Sequence, residues 1–460
     1  MRAHLAFLVP SVRLSGGINV VVEHATRLAD RHGYRVSLVV THHADEAPWP
    51  YPGLDRLGVM TVEEAATADI DLAIATWWDT VPALWRVGAK RHAYFVQSLE
   101  DRFHHHDEPE RDLAALTYAL PLPVITEARW IVDALAPLHP DDPPRYVRNG
   151  INKELFGPIP EAPPDLDGPL RVLIETGVDW YKGLEDALAV VGATQRTCHV
   201  TLVSAARLDP SRTIGVDEVL PPLPQHELAA RYAASHVLLK TSRVEGMYGP
   251  PLEAFHLGAT VLTTPVSGHD EFVQHGWNGL VADWDDTSGM ARLLDLLDAD
   301  RRLLTYLRTN ALATARGWPS WDQASDVMAI VIASLLDRHT DTAFSLARPL
   351  YDRSRHLVER HGFENHRAKV KLAAEGEHIA KLDGEVIALH GRLGELEAGR
   401  QADAAVLDAA ARTRRELEAL RGSRWLRLLD SVERRVRRVR PGPTVLDKVA
   451  TAADRIPTDD

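Results

Sequence analysis

The sequence has little of what several protein classes require. A single cysteine, Cys198, stands among 460 residues, which excludes an intrachain disulfide framework and a cysteine-based zinc site. The longest apolar run, Val327–Leu336, is about half of the roughly 20 residues that a membrane-spanning helix needs. No G-x-G-x-x-G or P-loop pattern follows a predicted strand, so we set aside a nicotinamide dehydrogenase and a P-loop enzyme.

The sequence also has fewer basic than acidic residues. The 52 basic residues face 65 acidic ones, and the net charge of −13 argues against nucleic acid as a partner. Met1 is followed directly by a strand-like run, without the basic and apolar regions of a signal peptide. The rest of the composition, 45% hydrophobic and 25% charged, is ordinary for a globular chain. We therefore expect a soluble, cytoplasmic protein of several domains.

The first two-thirds of the chain alternates short apolar runs with amphipathic segments, which is typical of a parallel sheet covered by helices on both faces. The predicted strands are Leu5–Val9, Arg35–Thr41, Asp71–Thr76, Ala93–Gln97, Val124–Thr126 and Tyr146–Val147, and then Arg171–Thr176, Val200–Val203, Val237–Leu239, Thr260–Thr264 and Leu280–Ala282. A proline-rich stretch from Phe156 to Pro169 separates the two sets. The pattern predicts two doubly wound α/β domains, residues 1–155 and 156–340, that face a cleft.

A helical connector, 341–371, and a coiled coil, 372–422, are predicted next. The apolar seam alternates spacings of three and four at Ile379, Leu382, Val386, Leu389, Leu393 and Leu396. Its phase breaks near Arg400 and Asp403, which indicates a stutter or an interruption. Several glycines weaken the helix, so a partner helix is needed. We expect a self-associating coiled coil and hence a homo-oligomer; a single helix packed on the body is the alternative.

The last segment, 423–460, is predicted to be a basic amphipathic tail. Between residues 421 and 440, eight arginines face only Asp430 and Glu433, and apolar residues recur at helical spacing among them. Such a helix suits peripheral contact with an anionic membrane. A solvated helix packed on its own protein explains the pattern equally well.

The stretch from Thr241 to Asp283 carries the most chemical information. A predicted strand ends at Lys240, a loop follows, and Pro250 and Pro251 suit the first turn of a helix. This places Glu245 on the loop and Glu253 in the first helical turn, beside N–H groups that attract anions. Carboxylates accept hydroxyls and a helix start accepts phosphate, so the pair favours a nucleotide sugar. Glu253 as a simple complement to the helix dipole is the alternative.

These residues resemble a known family. Glu245, seven intervening residues and Glu253 match the E-x7-E element of the retaining family 4 glycosyltransferases, which have the GT-B fold. The matching flanks are Gly258, Gly268, Asn278 and Gly279, the Gly16-Gly17 pair before a helix, and Arg148-Asn149-Gly150-Ile151 at the turn into the second domain. The resemblance covers roughly residues 1–340.

The resemblance implies a role for each matching position. The first domain would bind the acceptor, and the second would bind the donor through Glu253 on the ribose hydroxyls. Glu245 would meet the donor sugar or the charge that develops on it, and Lys182 would stabilise the departing diphosphate. The other implied donor-binding residues are Gly16, Gly17, Gly246, Tyr248 and Gly249. Neither a metal ion nor another cofactor would be needed.

One position departs from the family pattern. The family commonly has an arginine shortly before the lysine, but residues 177–181 contain none. Arg243 and Arg148 are candidates to replace it.

A second motif is similar to rhamnan-type bacterial rhamnosyltransferases. It consists of Tyr94-Phe95-Val96-Gln97, Glu100, Phe103 and Thr117-Tyr118. The resemblance favours dTDP-rhamnose as donor, with Gln97 and Glu100 at the acceptor. Glu100 as part of a capped loop is the alternative.

Two clusters of histidine or tryptophan residues lie near this second motif in the sequence. Three consecutive histidines, 104–106, rarely converge on one ion, so no metal site is expected there. Trp77 and Trp78 either stack on a sugar or base or form a wall of the core.

The sequence thus predicts a retaining glycosyltransferase that moves a hexose onto a lipid-linked or growing bacterial surface glycan, held peripherally at the inner face of the plasma membrane. A GT-B sugar-nucleotide epimerase and a non-catalytic assembly scaffold are the alternatives. The missing arginine favours the scaffold, while retention of Glu245 and Glu253 opposes it.

Overall fold

The computed structural model describes residues 3–42, 46–164, 167–204, 213, 215–338, 342–398 and 404–421. The chain divides into two compact units, Met1–Val358 and Glu359–Asp460. The basic tail, 423–460, lies outside the described residues.

The first unit opens with a seven-stranded parallel sheet. Its strands are β1 (His4–Val9), β2 (Arg35–Val40), β3 (Gly58–Thr61), β4 (Leu72–Ala75), β5 (His92–Val96), β6 (Val124–Thr126) and β7 (Arg145–Tyr146), in the order β3-β2-β1-β4-β5-β6-β7. The helices between them are α1 (Gly16–Asp30), α2 (Val62–Ala65), α3 (Pro109–Tyr118) and α4 (Arg129–Leu135). β1 and β4 are buried along their whole length because helices cover both faces of the sheet.

A six-stranded parallel sheet forms the second domain of this unit. Its strands are β8 (Leu170–Thr176), β9 (Cys198–Ser204), β10 (Glu218–Leu220), β11 (Val237–Lys240), β12 (Thr260–Thr263) and β13 (Gly279–Val281), in the order β10-β9-β8-β11-β12-β13. The helices are α5 (Leu184–Ala193), α6 (Gln225–Ala233), α7 (Gly249–His256), α8 (Thr287–Ala299) and α9 (Arg301–Gly317). In both sheets the strand order reverses beside the first strand, which is where doubly wound domains bind ligands.

The next helix, α10 (Trp321–Leu336), was assigned to the second domain by the predicted boundary at residue 340, but it packs on the first domain. Its apolar residues Met328, Ile332 and Leu335 belong to the same core cluster as β1 and α1. The chain therefore returns to the first domain after it completes the second. The sequence pattern gives no sign of this because α10 has the same 3.6-residue periodicity whichever sheet it covers.

The predicted connector and coiled coil differ from the structure in their boundaries. One helix, α11, runs from Ala343 to Ala398, and a second, α12, from Ala404 to Arg421. In the second unit the seam residues Leu382 and Val386 pack with Leu417 of α12. The partner of this seam is thus the next helix of the same chain, and self-association stays a proposal.

Candidate active site

The loop between β11 and α7 carries Glu245 and leads into the helix that carries Glu253. Pro250 and Pro251 occupy the first turn of α7, where their fixed φ suits the helix and a missing N–H breaks no helical bond. The helix starts at Gly249, so Glu253 lies in its second turn and not in the first as predicted. The two prolines also remove two of the N–H groups that were expected to attract an anion, and the Gly249 N–H donates to the Met247 carbonyl at 2.9 Å. This helix start offers less to a phosphate than expected.

Lys182 and Glu245 form an ion pair at the carboxyl edge of the second sheet. The Lys182 Nζ lies 3.1 Å from Oε1 and 3.0 Å from Oε2 of Glu245. The side chains are 26% and 13% exposed, so the pair is mostly buried but still reaches solvent. The two residues implied in catalysis, 63 positions apart in the chain, thus meet in space.

Gly183 makes this meeting possible. Its φ is +71°, and a Cβ on it would lie 2.1 Å from the carbonyl oxygen of Thr241. The turn before α5 therefore packs directly against the loop after β11, which brings Lys182 to Glu245.

We expect Gly183→Ala to lower the free energy of unfolding by at least about 2 kcal/mol, since alanine adds backbone strain and a steric clash. Gly192→Ala on the same helix is the matched control, because a Cβ there meets nothing within 4 Å. That change is expected to raise stability by roughly 0.5 kcal/mol. Urea unfolding of the two variants measures their free energies of unfolding. Equal values would contradict the close packing of Gly183 against Thr241.

The electrostatics keep both members of the pair charged. Burial alone raises the pKa of Glu245, but the nearby Lys182 and Lys240 outweigh it, and the pKa ends below its ordinary value. Burial lowers the pKa of Lys182, but Glu245 outweighs it, and that pKa ends raised. A carboxylate and an ammonium group therefore face the site together at neutral pH.

A second, deeper ion pair was missed by the sequence analysis. Lys240, only 5% exposed, reaches the Glu175 carboxylate at 2.6 Å and the Glu175 carbonyl at 2.8 Å. Charged residues inside the apolar strands β8 and β11 were the signal that could have revealed the Lys240–Glu175 pair.

Burial and the charge of Glu175 raise the pKa of Glu253 to about 8.

In the first domain the structure brings Gly17 and Gln97 together. A Cβ on Gly17 would lie 3.3 Å from the Oε1 of Gln97, and this oxygen is buried without a hydrogen-bond partner among the described residues. The adjacent Gly16 starts α1, whose first turn contains no acidic residue. The predicted diphosphate and acceptor positions in the first domain are therefore neighbours.

The predicted acceptor role of Glu100 is wrong. Glu100 is fully buried, and its carboxylate accepts hydrogen bonds from the Trp78 N–H at 2.5 Å and the Tyr94 hydroxyl at 3.1 Å. The Glu100 N–H donates to the Tyr118 hydroxyl at 2.5 Å. Burial raises the pKa of Glu100 well above its ordinary value. Three residues of the rhamnan-type motif, Tyr94, Glu100 and Tyr118, thus form a buried hydrogen-bonded network beside the loop after β5.

The other residues implied in donor binding lie in different environments. Tyr248 is fully buried, and its hydroxyl lies 2.6 Å from the Thr263 hydroxyl, so its side chain belongs to the core, which argues against the donor contact that the resemblance implies. A Cβ on Gly246 would lie 1.8 Å from the Gln97 carbonyl oxygen, so only glycine permits this approach of the two domains. A Cβ on Gly249 would meet nothing within 4 Å outside its own helix.

Neither candidate for the missing arginine has an unengaged guanidinium group. Arg243 pairs with Asp186 at 2.8 Å and with Asp285 at 2.5 Å. Arg148 donates to the Tyr146 hydroxyl at 2.9 Å and lies 4.4 Å above the Trp318 ring. Lys182 and Lys240 are the cations that the described residues place nearest to Glu245.

The aromatic residues at the cleft pack on one another. Trp77 stacks on Phe103 with ring centroids 5.8 Å apart, and Trp78 is buried. Of the three histidines, His104 meets the edge of Trp78 while His105 stacks on Trp180. Within the described part of the chain no group of three or more His, Cys, Asp or Glu side chains is placed to hold a metal ion.

Comparison with known proteins decides the family of the second domain. Residues 172–299 match the family described as "Glycosyl transferases group 1". These residues form a group 1 glycosyltransferase domain. The predicted enzyme class is thereby confirmed at the level of the domain, and Lys182, Glu245 and Glu253 all lie inside the glycosyltransferase segment.

Two known proteins that are similar to this chain carry different names. A protein of Catenulispora acidiphila named D-inositol 3-phosphate glycosyltransferase 1 is 32% identical over 127 residues, which are 27% of this chain and 30% of that protein. The O-antigen biosynthesis protein RfbC of Myxococcus xanthus is 27% identical over 331 residues, 67% of this chain and 25% of its own length. The chain thus spans less than a third of these two relatives.

Solved structures confirm the predicted GT-B fold. The Anabaena protein HepE, solved in complex with UDP-glucose, superimposes with a TM-score of 0.59 at 16% identity, over 72% of this chain and 100% of HepE.

Among the described helices, none combines the length and the hydropathy that a membrane-spanning segment requires.

Proposed function

We propose that this protein is a retaining glycosyltransferase that transfers a hexose from a nucleoside diphosphate sugar to a glycan acceptor. The observation that carries the proposal is the Lys182–Glu245 ion pair, mostly buried at the carboxyl edge of the second sheet. Its support is the group 1 domain in which the pair lies.

The two charges match the charges that develop during transfer. As the bond between sugar and diphosphate breaks, the leaving oxygen gains negative charge and the sugar carbon gains positive charge. The Lys182 ammonium would stabilise the first and the Glu245 carboxylate the second. Glu253 would accept the ribose hydroxyls, Gly16 and Gly17 would lie at the diphosphate, and Gln97 would face the acceptor. No step in this scheme requires a metal ion.

The substrates follow from weaker similarities. HepE was solved with UDP-glucose, and RfbC is named for O-antigen biosynthesis. These two names support transfer of a hexose to a bacterial surface glycan, while rhamnose from dTDP-rhamnose as the donor rests on the rhamnan-type motif alone. Peripheral attachment at the inner membrane face through the basic tail, and oligomerisation through the α11–α12 region, belong to the same proposal.

A thermal-shift panel of dTDP, UDP and GDP tests the donor site. A ligand at 100 times its dissociation constant stabilises the fold by about 2.7 kcal/mol, so one nucleotide is expected to raise the Tm clearly. Glu253→Ala is expected to abolish the shift, because the ribose loses its acceptor. Glu227→Gln, an exposed change on α6, is the control and should leave it intact. Absence of a shift with all three nucleotides would contradict the donor site.

A further inference from the structure

Side chains of the first domain hold the backbone of the loop that carries Glu245. Three successive residues of that loop are each hydrogen-bonded across the cleft. The bonds run from the Ser98 hydroxyl to the Glu245 carbonyl at 3.3 Å, from the Trp130 Nε1 to the Gly246 carbonyl at 3.0 Å, and from the Met247 N–H to the Glu127 Oε1 at 3.2 Å. The loop therefore owes its conformation to both domains.

The packing leaves this loop little room to shift. A Cβ on Gly268, where φ is +84°, would lie 2.5 Å from the Gly246 carbonyl oxygen and 3.1 Å from the Trp130 Nε1. Gly246 itself abuts the Gln97 carbonyl. The hydrogen bonds thus act on a segment that is already enclosed.

Glu127 is buried, with 4% of its surface exposed, and it follows β6 directly. Its second oxygen accepts from the Asn149 Nδ2 at 2.8 Å, while the Asn149 Oδ1 is buried without a partner among the described residues. Asn149 lies in the segment that leads into the second domain. Glu127 therefore ties the loop to the crossover between the domains.

We propose that Glu127 and Trp130 are positioning residues for the transfer reaction, which hold the peptide units after Glu245 so that its carboxylate faces Lys182 and the donor. The inference rests on the proposed function of this site. Neither side chain needs to touch the substrate. A displacement of about 1 Å in a catalytic group can cost on the order of 10²-fold in rate, so loss of these bonds acts on turnover.

Trp130→Phe removes the Nε1 donor but keeps an aromatic ring. We expect release of nucleoside diphosphate from the donor selected by the thermal-shift panel to fall at least about tenfold, with the nucleotide Kd unchanged. Trp85→Phe is the matched control. Trp85 also donates its Nε1 to a backbone carbonyl, that of Phe344 at 3.1 Å, and it belongs to neither the Lys182 turn nor the loop 245–247. That variant should retain at least half of the turnover.

Glu127 is tested by two substitutions. Glu127→Gln keeps an acceptor for the Met247 N–H, and its amide can donate to Asn149 Oδ1 once the Asn149 amide turns over. Glu127→Ala offers neither. We expect turnover within about threefold of wild type for glutamine and a loss of at least about tenfold for alanine.

Hydrogen–deuterium exchange of the peptide that contains Met247 gives a readout that needs no substrate. Faster exchange in Glu127→Ala, with wild-type exchange in Glu127→Gln, supports the inference. Unchanged exchange in Glu127→Ala, or full turnover in both Trp130→Phe and Glu127→Ala, overturns it. A fall in nucleotide affinity without a fall in turnover also overturns it. Failure of the wild-type protein to bind any nucleoside diphosphate would contradict the proposed function instead.

Discussion

Replacing Glu245 by glutamine is expected to lower the rate of sugar transfer by at least about 10²-fold while nucleotide binding persists. Glutamine has nearly the same shape but carries no charge, so the positive charge on the sugar loses its partner. The pKa of Glu245 lies below its ordinary value because Lys182 and Lys240 outweigh burial. The carboxylate is thus charged across the neutral range, and the defect should not be rescued by changing pH between 6 and 8.

The measurement is the initial rate of nucleoside diphosphate release, with the nucleotide Kd from calorimetry on the same preparation. Glu227→Gln makes the same chemical change on an exposed helix and serves as the control. Full activity of Glu245→Gln would contradict its catalytic assignment. If the nucleotide affinity and the transfer rate fell by the same factor, the role of Glu245 would be donor binding alone.

Replacing Glu100 by alanine is expected to lower the free energy of unfolding by about 3 kcal/mol. The Trp78 N–H and the Tyr94 hydroxyl would both lose their buried acceptor. Glu100→Gln keeps an acceptor oxygen and is expected to cost less than about 1 kcal/mol, because burial raises the pKa of Glu100 well above its ordinary value and so disfavours the charge that glutamine lacks.

Urea unfolding of both variants measures this difference. A stable Glu100→Ala protein with a raised KM for the acceptor would restore the acceptor role that the structure argues against.

Much of the fold could be predicted because it depends on local pattern. Near-continuous apolar runs such as β1 and β11 predict buried parallel strands, and the proline pair predicts the start of α7. The strands β3 and β10 were missed because they are short and their residues are largely exposed or half-exposed, so they carry no such run.

The site could be predicted only in part, for a physical reason. Glu245 was singled out from the strand-loop-helix pattern, but Lys182 was found only through a family resemblance, since nothing local relates two residues 63 positions apart. Glu127 and Trp130 were not found, because their role exists only once the two domains meet. Glu100 was misassigned because its sequence position gives the end of a strand but not the tyrosines that close over it.

The return of α10 to the first sheet bears on how the chain folds during synthesis. Met328, Ile332 and Leu335 belong to a core that begins at Leu5, so the N-terminal domain lacks α10 until the whole C-terminal domain has left the ribosome. Until then its apolar face is uncovered. A fragment that ends near residue 155 should therefore aggregate, and co-expression of residues 321–338 as a separate peptide should restore its solubility.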